Sequence, residues 1–322
     1  MSTAAQISHA DDDVTPTVLV PVDGSDKDRR VIPAAAALAD LADGDLHVIR
    51  VLDIARESLT PRARTMGAAD ALAEKRREVQ QSVVAVADRL TADSGRSVST
   101  VVAEGPDVAD VLVGSAAGRD ADLVVMATRA AGTVGRALRG SVADRVMRES
   151  PQPVVLVPPR AGGDGDEPLR LGRVLVPLDG SEPSSAVLDR LLGLKRAREL
   201  EIVLLEVVTS GALLQWVPDP LELRTHALPP YFAEARVSAE HSLTHLADRL
   251  RTDGAKRVSV RVVEDLDPAA AITRVAREEG ADFIAMSTRG AGGLERFVLG
   301  SVAEAVVRDS DIPVLLVKPR DR

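Results

Sequence analysis

The chain contains itself twice. VLVPVDGSD, starting at Val18, returns as VLVPLDGSE at Val174, and the forty-residue run that starts ADLVVMATRA at Ala121 returns in gap-free register as ADFIAMSTRG at Ala281. Self-similarity at that spacing means one folded unit used twice, so whatever architecture the first copy adopts, the second adopts too. A length of 322 residues agrees with two domains of ordinary size. Between the copies, Pro159 to Pro168 reads PRAGGDGDEP, whose glycines, prolines and charges suit a flexible linker and not a core. The expected division is a disordered tail over 1–14, a first domain over 15–159, a linker over 160–171 and a second domain over 172–320.

Within each copy, short runs rich in Val, Ile and Leu alternate with longer Ala-rich amphipathic stretches, the pattern of a buried parallel sheet with crossover helices. Strands are predicted at Val18–Val22, Leu46–Val51, Val98–Val102, Leu123–Ala127 and Val154–Val157, and in the second copy at Val174–Leu178, Ile202–Val207, Val258–Val263, Phe283–Ser287 and Val314–Val317. Helices are predicted at Asp26–Ala42, Ala69–Thr91, Val108–Ala117 and Val142–Glu149, with Ser25 and Ser141 as N-caps and Pro33 delaying or kinking the first. A further helix is expected over Ala233–Leu250. The fold class is α/β, two tandem doubly wound five-stranded parallel sheets with helices on both faces. Such sheets bind ligands at strand carboxyl ends, where the winding reverses.

Composition removes several classes of function. The chain has no cysteine, which excludes disulfides, thiolate metal sites and a cysteine nucleophile. A net charge of -9 and only 2% aromatic residues disfavour nucleic acid as a partner. No apolar run approaches the ~20 residues of a membrane helix, and the acidic start of the chain resembles no secretory signal, so a cytoplasmic protein without a membrane partner is expected.

Two turns in each copy carry the chemistry. Asp23-Gly24-Ser25 and Asp179-Gly180-Ser181 follow the first strand; there the aspartate is placed to cap the turn or to accept hydrogen bonds from a ligand. After the fourth strand, a Gly-rich segment delivers Gly140-Ser141, or Gly300-Ser301, onto a helix start. Glycine lets backbone approach an anion, helix-start amides point at it, and the serine adds a donor; Arg136 and Arg139, or Arg289 and Arg296, add charge. The residues alone leave a phosphate cradle and a plain Gly-rich turn with a serine cap both open.

At these residues the sequence resembles the universal stress protein family in its tandem-domain form, over nearly the whole chain outside tail and linker. Nucleotide-binding members of that family carry Gly, two residues, Gly, nine residues, then Gly with Ser or Thr, behind a fourth strand ending in Met. Here the second copy has Ser287, Gly290 and Gly300-Ser301 behind Met286, and the first has Ala127, Ala130 and Gly140-Ser141 behind Met126. The resemblance implies a Rossmann-like, adenine nucleotide alpha hydrolase-like fold that binds ATP, with magnesium accompanying the triphosphate. It implies a nucleotide site in copy two formed by Asp179, Val207, Met286, Ser287, Arg289, Gly290, Gly300, Ser301 and Val302. The corresponding set in copy one is Asp23, Val51, Met126, Ala127, Ala130, Gly140, Ser141 and Val142. That set is weakened by methyl groups where backbone must approach the ligand. It also implies that the copies pack as an intramolecular pseudo-dimer through their last strands, which covers an exposed edge; homodimers of the whole chain are left open.

Other constellations carry less. His241 and His245 are four apart on a predicted helix but lack a third ligand nearby. His47 is expected at a strand surface, and His9 lies in the tail. Thr209–Tyr231, with Trp216, is a long non-repeated loop suited to a lid or a partner surface. No nucleophile elbow or Walker lysine occurs, and no catalytic residue or general base is identified. The expectation is therefore an ATP-binding stress-response regulator with an unknown regulatory protein partner, which hydrolyses ATP slowly or not at all. The alternative is a nucleotide-free interaction module with degenerate sites; an adenylate-forming enzyme lacks the Gly-rich pyrophosphate loop it would need.

Overall fold

Runs of Val, Leu and Ile that are apolar at every position cannot leave either face in water, so they must become strands covered on both sides. The computed structural model describes residues 15–118, 121–128, 142–159, 161, 169–209, 230–288 and 299–319. In copy one the order is β1 (Thr17–Pro21), α1 (Asp28–Ala42), β2 (Asp45–Asp53), α2 (Ile54–Ser58), α3 (Pro61–Met66), α4 (Ala68–Ser94), β3 (Val98–Gly105), α5 (Val108–Gly118), β4 (Leu123–Ala127), α6 (Val142–Glu149) and β5 (Val154–Val157). Copy two follows with β6 (Arg173–Leu178), α7 (Glu182–Leu192), a 3-10 turn (Ala197–Glu199), β7 (Glu201–Val208), α8 (Pro230–Thr252), β8 (Arg257–Glu264), α9 (Pro268–Glu278), β9 (Phe283–Ser287), α10 (Ser301–Asp309) and β10 (Val314–Val317).

The two expected five-stranded sheets are one sheet of ten strands, in the order β3-β2-β1-β4-β5-β10-β9-β6-β7-β8. Each half is parallel throughout, and the halves join at an antiparallel ladder in which Val314, Leu315 and Leu316 face Leu156, Val155 and Val154. The implied pairing of the last strands is thus present, and it extends both core layers across the copies. On one face Val155, Val157, Leu315 and Val317 pack with residues of both copies, including Leu38, Val83, Leu191 and Leu243 from α1, α4, α7 and α8. On the other, Val154, Leu156, Val314 and Leu316 pack with Leu112, Val146, Ile272 and Val306 from α5, α6, α9 and α10. Burial on both faces is why these four-residue strands hold without alternation.

A polar seam reinforces the join. The Arg196 amide donates to the Leu41 carbonyl (3.0 Å), its guanidinium meets Asp40 (2.7 Å), and Lys195 lies 3.7 Å from Asp43. The Asp43 carboxyl is held below its ordinary range, first by the hydrogen bond from Arg96 and then by the charges of Arg96, Lys195 and Arg196, against a smaller opposing effect of burial. The expected linker is anchored at both ends: Ala161 is buried, and Leu169 and Leu171 pack against the core, while 162–168 lie outside the described residues.

Two local expectations are corrected. Helix α1 starts at Asp28, two residues later than expected and with Pro33 inside it, and Ser25 is not its cap; the capping position is Lys27, with no side-chain bond. His47 is buried, not at the surface, with Nδ1 2.6 Å from Ser99 Oγ. The stretch between β2 and α4 forms α2 and α3, the first capped by Asp53 and the second by Thr60 with a proline in its first turn. Histidines 241 and 245 are exposed on α8; among the described residues no group of three or more metal-ligating side chains is assembled, and no helix is long and apolar enough to cross a membrane.

Candidate functional site at the strand carboxyl ends

The strand order 3-2-1-4-5 reverses its winding between β1 and β4, and between β6 and β9 in copy two. At that point two crossovers leave the sheet in opposite directions and a crevice opens. Both Asp-Gly-Ser turns lie there. Gly24 and Gly180 have φ of 77° and 75°, a left-handed backbone that a side chain would strain, which is why glycine stands at each.

In copy two, Ser181 caps α7: its Oγ accepts from the Ser184 amide at 3.3 Å. Asp179 Oδ1 accepts from the Ser181 amide and hydroxyl at 3.1 and 2.6 Å, so the aspartate orders its own turn. Leu178 faces Glu206 in the β6–β7 ladder, which brings Asp179 beside Val207; Leu175 faces Ile284 in the β6–β9 ladder, three residues before Leu178 and Ser287 alike. Asp179, Val207, Met286 and Ser287 therefore share one edge of the sheet. Met286 and Ser287 are buried, Val207 is half-buried and Asp179 is exposed.

The loop after β9 returns at Gly300, whose amide donates to the Thr288 carbonyl at 2.8 Å, while the Thr288 amide donates to Val317 at 2.9 Å. A Cβ on Gly300 would stand 3.3 Å from the Thr288 oxygen, so glycine is favoured by close approach and not by its φ of -61°. Gly300 is the N-cap of α10 and Ser301 its first residue, exposed; the ladder inside the helix begins with Glu304 donating to Gly300. The amides of Ser301, Val302 and Ala303 thus lie outside that ladder, as helix-start amides do. Arg289, Gly290 and Arg296 lie outside the described residues, as do the Trp216 loop over 210–229 and, in copy one, Ala130, Arg136, Arg139, Gly140 and Ser141.

Copy one has a cavity of about 300 Å³ at the equivalent place, and Asp23, Val51, Met126, Ala127 and Val142 all line it. A wider cleft of about 800 Å³ runs between the copies beside Asp40, Arg89, Leu169 and Arg196, but it touches no strand carboxyl end and no Gly-rich turn. Its walls are one side of α1 from Pro33 to Leu41, exposed ion pairs and linker, away from the strand ends where such sheets bind ligands, so the smaller cavity is the better candidate.

Charge divides the two sites. Burial acts to raise the Asp23 carboxyl, but hydrogen bonds from Ser25, then the hydrogen bond and charge of Lys27, outweigh it and hold the group below its ordinary value. Asp28 is buried (8% exposed) and accepts from the amides of Gly24 (2.8 Å) and Asp23 (3.3 Å); burial dominates and raises its carboxyl. In copy two the equivalent of Asp28 is Ser184, and the equivalent of Arg50 is Glu206, raised by burial and then by the neighbouring charge of Asp179. Asp28, Arg50 and Glu206 are missing from the sequence-derived sets. Writing β2 under β7 would have found Arg50 and Glu206, because the copies differ there in charge, and extending the Asp-Gly-Ser alignment into α1 would have found Asp28 opposite Ser184.

A sequence model of the universal stress protein family matches residues 15–158 and 171–318. The chain belongs to that family. A universal stress protein of Mycolicibacterium smegmatis is 27% identical over 311 residues, covering 94% of this chain and 97% of the relative. The crystal structure of a universal stress protein from Archaeoglobus fulgidus shares the fold at 22% identity, with a TM-score of 0.63 over 95% of this chain and 97% of that one. A universal stress protein solved in complex with cAMP is 24% identical, with a TM-score of 0.34 over 44% of this chain and 96% of its own.

Proposed function

We propose that this universal stress protein is an ATP-binding regulator whose nucleotide is held mainly by copy two. The supporting observation is the hydrogen bond from Gly300 to Thr288. It brings the start of α10, with the amides of Ser301, Val302 and Ala303 outside its ladder, to the end of β9, next in the chain to Met286 and Ser287. Helix-start amides backed by the helix dipole suit a triphosphate. Asp179 and Val207 bound the opposite end, where an adenine amino group and ring face would meet a carboxylate and an apolar side chain. Arg289 and Gly290 complete the set by sequence. Magnesium would arrive with the phosphates and keep most of its water, which suits a site whose described residues assemble no cluster of metal ligands.

Occupancy, not turnover, is the signal in this reading: bound nucleotide changes which protein partner the chain engages in the cytoplasm. The second reading, a nucleotide-free interaction module, draws on Ala127 and Ser287 standing where nucleotide-binding members have glycine. Thermal unfolding with and without Mg-ATP separates the two. A ligand that binds only the folded state at a hundred times its Kd stabilises by about 2.7 kcal/mol, a shift of several degrees, whereas the interaction module shows none. Release of phosphate at ordinary enzyme rates would contradict the regulator.

A further inference from the structure

Sites that descend from one repeat start with the same charges, so a charge inversion between copies means that they no longer favour the same ligand charge. The copy-one cavity is lined by Lys27, Arg50, Arg56 and Lys75 against three carboxylates, Asp23, Asp28 and Asp53. The strand registers align Arg50 with Glu206, and the Asp-Gly-Ser turns align Lys27 with Pro183. The buried series Val79, Val83, Ala87, Leu90 of α4 steps onto Ala239, Leu243, Ala247, Leu250 of α8, which aligns Lys75 with Ala235. Three cations of copy one are thus absent from copy two, and one has become a carboxylate.

The lining carboxylates have their own partners. Asp28 accepts from the Asp23 and Gly24 amides, Asp23 from the Ser25 amide and Lys27, and Asp53 from the Arg56 amide. Lys75 is paired with Glu78 at 2.7 Å. Arg50 is different. Its Nη1 donates to Ser82 Oγ at 2.5 Å, and no carboxylate among the described residues is within ion-pair distance of it. The guanidinium lies over the Asp-Gly-Ser turn, 2.6 Å from where a Cβ on Gly24 would be, and the bond to Ser82 holds it at the cavity wall. Apart from Thr128, the rest of the lining is apolar, including Val31, Ile49, Val79, Leu112 and Met126.

A guanidinium held by Ser82, with no described carboxylate in ion-pair contact and its charge felt only at longer range by Asp28 and Glu78, stands at the wall of a small cavity that also has apolar lining; such a group recognises a carboxylate or phosphate on an apolar body. We propose that copy one takes a small amphiphilic organic anion, recognised by Arg50, in place of the nucleotide assigned to copy two. This inference rests on the copy-one cavity and its contrast in charge with copy two, and it survives failure of the nucleotide reading.

Methionine provides a readout for each copy, since Met126 lines this cavity and Met286 holds the equivalent place in copy two. The full chain, labelled at methionine methyls and assigned with Met126→Leu, is titrated with hexanoate, hexyl phosphate and neutral hexanamide. The expected result is that an anion moves Met126 and not Met286 at concentrations where hexanamide moves neither; which anion acts at the lower concentration names the headgroup. Arg50→Glu, which installs the copy-two residue, and the milder Arg50→Gln are expected to weaken that response at least about tenfold, and Arg50→Lys to restore part of it. Movement of Met126 by hexanamide as readily as by the anions, no movement with either anion, or an unchanged response in a folded Arg50→Gln would each overturn the proposal.

Discussion

Replacing Leu315 by alanine tests whether the two copies are one cooperative structure. Leu315 is 2% exposed, sits opposite Val155 (1% exposed) across the antiparallel ladder, and packs in the core layer that contains α1 and α4 of copy one and α7 and α8 of copy two. Leu→Ala in such a place costs about 2–5 kcal/mol, from lost burial and the cavity left behind. Val155→Ala removes two methyl groups at roughly 0.8 kcal/mol each plus a smaller cavity, about 2 kcal/mol in all. Directly opposed residues share that cavity, so the double variant should fall short of the sum by about 0.5–3 kcal/mol. Urea unfolding of the four proteins by far-ultraviolet circular dichroism measures this, and amide exchange locates it: Leu315→Ala should lower protection in β4 and β5 of copy one as well as in β9 of copy two. Additivity within about 0.5 kcal/mol, with exchange changed in copy two only, would refute a continuous core across the seam.

Further outcomes follow from the sites. Gly180→Ala should cost about 1–2 kcal/mol from the left-handed backbone alone, because nothing lies within 4 Å of the added carbon; Gly24→Ala bears the same strain and also displaces Arg50, so its cost should exceed that of Gly180→Ala in matched urea melts. Glu206 has a carboxyl raised in the folded state above its ordinary 4.5, so its favourable contribution is full below pH 4.5 and is lost as pH rises through the folded value. Glu206→Gln should therefore raise the melting temperature at neutral pH and leave it little changed below pH 4.5; equal shifts at both would contradict the burial argument. Asp267→Ala removes the cap that accepts from Ala269 and Ala270 at 3.1 Å and should destabilise by about 1 kcal/mol in thermal melts.

Much of this was legible because the sheet is buried on both sides. Leu123–Ala127, Val154–Val157, Phe283–Ser287 and Val314–Val317 are largely apolar runs each preceded by proline or aspartate, and their ends in the structure coincide with those read from sequence. Helix α6 is equally clear from its periodicity. Strand β2 runs on to Asp53 and β3 to Gly105 because backbone pairing continues past the last apolar side chain. Helices α2 and α3 are five and six residues long, too short for a hydrophobic period; Thr60 before Pro61 was the available signal. Ser25 misled because a serine before a charged run resembles a cap, whereas here the Asp28 carboxylate takes the amides of the turn. His47 alternates with apolar residues as a surface position would, but Ser99 on the neighbouring strand gives it a buried partner. The charge difference between Arg50 and Glu206 was visible in the letters and acquires meaning only beside the cavity and the Asp-Gly-Ser turns.

The central claim concerns copy two and nucleotide, and calorimetric titration of the full chain with Mg-ATP tests it most directly, beside Gly300→Phe, whose first added carbon alone would stand 3.3 Å from the Thr288 oxygen. The account predicts one site per chain, lost in Gly300→Phe while circular dichroism shows the fold retained. No heat with the unmodified protein, or a stoichiometry and affinity unchanged in folded Gly300→Phe, would contradict it.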